Sequence, residues 1–138
     1  MKADIAFVFP GQGSQSVGML AELGEVHPIV IETFAEASSA LGYDLWHLVQ
    51  HDNDGQLNQT HITQPALLAS SVALWRLWLQ QGGVTPTVLA GHSLGEYSAL
   101  VCAGALDFAD ALKLVEARGH FMQAAVPPGE GAMAAIIG

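Results

Sequence analysis

Cysteine, positive charge and long apolar runs are what this sequence has least of. Its one cysteine, Cys102, rules out an internal disulfide and fits a reducing, cytoplasmic setting. Four Lys and Arg stand against 13 Asp and Glu, a net charge of −9. That balance argues against nucleic acid as a partner, because phosphate binding needs clustered cations. It argues equally against docking on an anionic membrane. No apolar run approaches the roughly 18 residues of a membrane-spanning helix. The N-terminal apolar stretch stops at Pro10-Gly11, too short for a signal peptide, and no small-residue cleavage pattern follows it. An acidic surface keeps the chain soluble, and monomer is the expected state. An anionic substrate, however, must find one of very few cations.

What is present is a core-forming composition. Of 138 residues 51% are hydrophobic and 12% charged, enough to bury one domain's core and too apolar for disorder. Ile5-Ala6-Phe7-Val8-Phe9 reads as a buried parallel strand, ending in the Gly- and amide-rich loop from Pro10 to Gln15. A helix is expected from Pro28 to Leu41 with Gly42 as its stop, followed by a polar loop or short helix over residues 50–62. The clearest helix is expected from Thr63 to about Gln81, capped by Thr63, with Pro65 in its first turn. Leu68, Val72, Trp75 and Leu79 form its expected buried stripe. A second strand over Thr87–Ala90 leads into Gly91-His92-Ser93-Leu94-Gly95 and a helix to about Ala103. Asp107 caps a further helix whose Leu112, Val115, Gly119 and Met122 face one way. Pro127-Pro128-Gly129 breaks it, and Ala132 to Ile137 reads as a third strand. Strands alternating with helices imply an α/β fold: a parallel sheet with helices on its faces.

Chemistry concentrates at Gly91-His92-Ser93-Leu94-Gly95. In a nucleophile elbow a serine sits on a strained strand-to-helix turn, and glycines flank it because side chains there would collide with neighbouring backbone. The pentapeptide alone arises by accident in roughly one such chain in ten; the apolar strand before it and the helix after it give it context. The competing reading is a Gly-rich turn with an idle serine. Parallel strands place the first loop on the same sheet edge, where active sites of open α/β sheets form. The backbone N–H groups of Gln12 and Leu94 are then candidate oxyanion donors. The alternative for the first loop is a plain turn or a phosphate cradle. It lacks the third glycine and the Lys-Ser/Thr of nucleotide loops.

Four ordered motifs carry a resemblance over essentially the whole chain. They are Phe9-Pro10-Gly11-Gln12-Gly13-Ser14-Gln15, Thr63-Gln64-Pro65-Ala66-Leu67, Gly91-His92-Ser93-Leu94-Gly95-Glu96-Tyr97-Ser98-Ala99-Leu100, and Arg118-Gly119 with Met122. The chain resembles the malonyl-CoA:acyl carrier protein transacylases of bacterial type II fatty-acid synthesis. The resemblance implies an α/β-hydrolase-like core, here residues 1–128, and the first strand of a ferredoxin-like insert over residues 129–138. It implies that Ser93 takes malonyl from malonyl-CoA as an ester and passes it to acyl carrier protein. Gln12 and Leu94 supply the oxyanion hole and Arg118 holds the malonyl carboxylate, for which a planar, permanently charged fork is suited. Gln64 and Met122 line the pocket. No metal and no cofactor are implied, the coenzyme A thioester being substrate. The residues themselves leave alternatives: Arg118 as a solvated cation near a helix end paired to Glu116 or another acid, Gln64 as a helix N-terminal polar residue, and Met122 as ordinary core.

A serine hydroxyl needs an adjacent base. Of His27, His47, His51, His61, His92 and His120, His92 precedes the serine and is expected to point away, and the others fall in helices or polar loops. The family's catalytic histidine lies beyond the insert. The expectation is therefore an N-terminal part of a longer enzyme. A serine esterase or thioesterase, or a non-catalytic fragment, are the alternatives.

Overall fold

The computed structural model describes residues 3–132, 134 and 136–138. The elements run β1 (Ala3–Phe9), α1 (Ala21–Val26), α2 (Pro28–Leu41), α3 (Leu45–His51), a 3-10 turn (Gln56–Asn58), α4 (Thr60–Gln80), β2 (Pro86–Gly91), α5 (Gly95–Cys102) and α6 (Phe108–Ala125). The two strands pair in parallel, with Phe9 opposite Gly91. This is an α/β fold with a small parallel sheet. Because the strands run the same way, the loop after β1 and the turn after β2 leave the sheet at the same end.

α4 is the spine of the core. Every residue from Ile62 to Ala73 is buried, so the helix is covered on all sides rather than along one stripe, its polar Thr63, Gln64, Ser70 and Ser71 included. It packs against α2, α5 and α6, and Phe7 of β1 meets Trp75 and Trp78 edge-on at 5.6 and 5.2 Å. The expected stripe fails at its end: Leu68 and Val72 are buried, but Leu79 is exposed, and it is Trp78 beside it that meets Phe7 of β1. Phe34, Leu45, Leu68 and Leu112 have no exposed surface. Each such side chain stabilises the fold by roughly 1.5–3 kcal/mol relative to exposure.

Other expectations are corrected as well. β1 is not buried on both sides: Phe9 is 7% exposed and Val8 78%. Strand alternation sends Phe7 and Phe9 toward α4 and leaves Val8 and Val88 uncovered on the opposite face among the described residues. Thr63 does not cap α4, which begins three residues earlier at Thr60. Its hydroxyl donates instead to the carbonyls of Leu57 and Gln59, at 2.5 and 3.0 Å, tying the 3-10 turn to the helix. Pro65 is consequently inside the helix rather than in its first turn, and its missing N–H leaves the His61 carbonyl outside the helical ladder. α1 and α3 were not anticipated. α3 carries a local signal in Asp44, whose carboxylate accepts the N–H of His47 at 3.0 Å. Asp107 does the same at the start of α6, toward Asp110 at 3.1 Å. At residues 132, 134 and 136–138 the chain is not paired as the expected third strand; Met133 and Ala135 of that stretch lie outside the described residues.

Candidate active site

The turn after β2 is sharp enough to put Ser93 in the left-handed region, at φ 54°, where a non-glycine residue is strained by roughly 1–3 kcal/mol. Its flanking glycines are sterically obligatory. A β-carbon on Gly91 would overlap the carbonyl group of Gly95, and one on Gly95 would overlap the carbonyl oxygen of Phe9 in β1. The turn is closed by the Gly95 N–H donating to the His92 carbonyl at 2.9 Å, and the His92 N–H donating to the Phe9 carbonyl at 3.2 Å. Ser93 is thereby exposed at the end of the sheet, with the N-terminus of α5 behind it.

The first loop lies alongside. A β-carbon on Gly11 would come within 2.9 Å of the His92 carbonyl oxygen and 3.5 Å of the Ser93 β-carbon. Gln12 follows, its side-chain amide donating to Thr60 Oγ1 at 3.3 Å. Gln15 ties the loop further, accepting the Gly13 N–H at 2.8 Å and donating to Asn58 at 2.9 Å. Among the described residues the backbone N–H groups of Gln12 and Leu94 have no protein acceptor. Leu94 is the N-cap of α5, so its N–H lies at the positive end of that helix's dipole.

Four side chains from three elements join in one hydrogen-bonded line. Arg118 of α6 donates through Nη2 to Ser93 Oγ at 3.3 Å and through Nη1 to Gln64 Oε1 at 2.8 Å. Gln64 Nε2 in turn donates to Met122 Sδ at 3.3 Å. The guanidinium carbon of Arg118 lies over the Tyr97 ring, 5.4 Å from its centre. Gln64 is 1% exposed on α4, which is why its amide must find internal partners. Arg118 has no ion pair with Glu116; the one ion pair among the described residues joins Arg76 and Glu36 at 2.7 Å.

Tyr97 and Thr60 were not singled out from the sequence. Tyr97 stands in the first turn of α5, four positions after Ser93, and that closeness in sequence was its available signal. Thr60 had none, because its contact to Gln12 spans 48 positions.

No histidine is hydrogen-bonded to Ser93 among the described residues. His61 and His120 instead stack on each other across the α4–α6 seam, rings 4.3 Å apart and 19° from parallel. Partial burial, then the charge of His120, holds the His61 imidazole below its ordinary pKa, against a smaller opposing pull from Glu116. The folded state thus prefers neutral His61. This contribution is fully present above about pH 6.5 and is lost as pH falls through the lowered folded value. Thermal melts between pH 8 and 5 should therefore fall less steeply in His120→Asn than in the parent chain. The difference is small, since both rings contact water. Equal slopes would show that the stack carries no charge penalty.

The acyl transferase domain model matches residues 6–137. Over 133 residues the chain is 71% identical to the malonyl CoA-acyl carrier protein transacylase of Salmonella typhimurium, covering 96% of this chain and 43% of that protein. It is 52% identical over 134 residues to the Bacillus subtilis transacylase, covering 97% and 42%. The crystal structure of an acyl carrier protein S-malonyltransferase from Vibrio cholerae superposes with a TM-score of 0.89 at 66% identity, over 92% of this chain and 42% of that one. A malonyl-transacylase in complex with its type II polyketide acyl carrier protein, PlMCAT:AntF, superposes with a TM-score of 0.90 at 62% identity, over 92% and 41%. The chain spans less than half the length of these relatives. With a family model matching it from Ala6 to Ile137, the chain belongs to the acyl transferase domain family.

Proposed function

We propose that this chain carries the acyl-accepting side of a malonyl transfer from malonyl-CoA to acyl carrier protein, with Ser93 as nucleophile. The observation that carries the reading is the Arg118 fork, 3.3 Å from Ser93 Oγ and backed by Gln64. A cation fixed that close to a nucleophile suits an acyl group that ends in a carboxylate. A lipid or simple ester would leave it unpaired.

In the acylation step Ser93 Oγ attacks the thioester carbonyl, and the resulting oxyanion takes the N–H groups of Gln12 and Leu94. The C–S bond then breaks, coenzyme A leaves as thiolate, and the hydroxyl proton passes to a base. The carrier's thiol repeats the sequence in reverse on the malonyl ester. The Ser93 turn is the nucleophile elbow of an α/β-hydrolase-like core comprising residues 1–128, and residues 129–138 begin a ferredoxin-like insert. Met122 lines the acyl pocket next to Gln64. No cofactor takes part, and a cytoplasmic location fits the unpaired Cys102, whose thiol burial pushes up to about 12.

Intact-mass measurement of the chain in imidazole buffer, which supplies an external base, tests this with malonyl-CoA and acetyl-CoA. The expected result is a malonyl adduct that is absent from Ser93→Ala and passes to carrier-protein thiol. Free malonate with no carrier product identifies a hydrolase. An unlabelled Ser93 at high malonyl-CoA identifies a chain that folds but does not react.

A further inference from the structure

We propose that Tyr97 is a positioning residue for Arg118, and that selectivity for a carboxylated acyl group depends on it. The inference rests on the malonyl reading of Arg118 given above. An arginine side chain has four rotatable bonds, so two edge contacts do not by themselves fix where its fork points. Here the two edge contacts, to Ser93 Oγ and Gln64 Oε1, define one direction of the guanidinium plane. The Tyr97 ring, its centre 5.4 Å from the guanidinium carbon, adds a third contact that limits where the group can swing. That distance is within the roughly 6 Å over which a ring face attracts a cation.

The ring is itself well held. Tyr97 packs against the hydrophobic core, and its backbone N–H donates to the Leu94 carbonyl at 3.0 Å in the first turn of α5. The same helix start sets Ser93 and the Leu94 N–H. Nucleophile, oxyanion donor and arginine platform are therefore displayed from a single turn of backbone, so Arg118 on α6 is registered to the elbow rather than to its own helix alone. With a carboxylate bound, the fork would trade Ser93 for the ligand while the ring contact still bounds its position.

Two measurements on the same chain test this. In the 15N-resolved spectrum, the Arg118 guanidinium protons should be shifted by the ring current of Tyr97. The shift should survive in Tyr97→Phe and vanish in Tyr97→Leu, which keeps apolar packing without the ring. In the labelling assay, Tyr97→Leu should lower the malonyl-to-acetyl ratio about fivefold to tenfold, mainly through the malonyl concentration needed for half-maximal labelling, and Tyr97→Phe should restore it. A purely structural role would slow both thioesters equally and leave their ratio unchanged. Unshifted Arg118 protons in the parent chain overturn the proposal, as does an unchanged ratio in Tyr97→Leu. Arg118→Ala separates the two levels: if it leaves the ratio unchanged, the malonyl reading fails; if it alters the ratio and Tyr97→Leu does not, only the platform role fails. Should neither thioester label the chain, the proton shifts still decide whether Tyr97 positions the arginine.

Discussion

Arg118→Ala is expected to lower malonyl labelling of Ser93 by roughly 5- to 30-fold while leaving acetyl labelling unchanged or slightly raised. The size follows from what is removed. A hydrogen bond to a charged group contributes about 1.5–3 kcal/mol, and the guanidinium is half-buried, so water recovers part of it. A net loss of about 1–2 kcal/mol corresponds to that range. The opposite response of acetyl follows from the same charge: acetyl sets no anion beside the guanidinium, which keeps only its neutral partner Gln64, a cost that the alanine variant no longer bears. Arg118→Lys keeps the charge but presents a single point donor, and one amine cannot serve both Gln64 Oε1 and a carboxylate in the way that two fixed nitrogens can. It should recover only part of the selectivity. The check is the ratio of adduct formed from the two thioesters at equal concentration, read by intact mass. Equal loss of both substrates would remove Arg118 from carboxylate recognition and return it to a structural role.

How much of this was legible in the sequence depends on the range of each contact. The Ser93 turn was readable because its requirements are local: Gly91 and Gly95 are spaced so that their missing β-carbons clear one another and Phe9. The caps at Asp44 and Asp107 are local too, and Asp107 was read while Asp44 was passed over. The start of α4 was misplaced because Thr63 looks like an N-terminal acceptor. In the fold its hydroxyl acts as a donor to earlier carbonyls, a use of Thr that sequence pattern does not separate from capping. The line from Ser93 through Arg118 and Gln64 to Met122 joins residues 25 to 58 positions apart, and no periodicity encodes it. From the residues alone Arg118 reads more readily as a solvated arginine paired to Glu116 or another acid; the family resemblance placed it at the site.

Gly119→Ala should destabilise the chain by about 2 kcal/mol and disturb the site together with the fold. At Gly119 the backbones of α6 and α4 touch: a β-carbon there would lie 2.5 Å from His61 Cα, 2.7 Å from its nitrogen and 2.9 Å from the Thr60 carbonyl carbon. All three are backbone atoms of the first turn of α4, so no side chain can rotate away, and the helices must separate. Overpacking of this kind costs about 3 kcal/mol. Alanine's better helix propensity returns about 1 kcal/mol, leaving the net loss stated. At roughly 3–4 °C per kcal/mol for a chain of this length, the melting temperature should fall by about 6–8 °C. The functional consequence is geometric. Arg118 precedes Gly119 on α6, and its partner Gln64 lies one turn beyond His61 on α4. Any widening of the seam lengthens the Arg118–Gln64 bond first and frees the fork to turn from Ser93. The malonyl-to-acetyl ratio should therefore fall in Gly119→Ala even at temperatures where the variant is fully folded. Ala117→Gly is the control: it weakens α6 by about 1 kcal/mol through propensity alone and should leave the ratio intact. A Gly119→Ala chain that melts at or above the parent temperature would show that the seam can open without cost, and that the arginine's position does not depend on it.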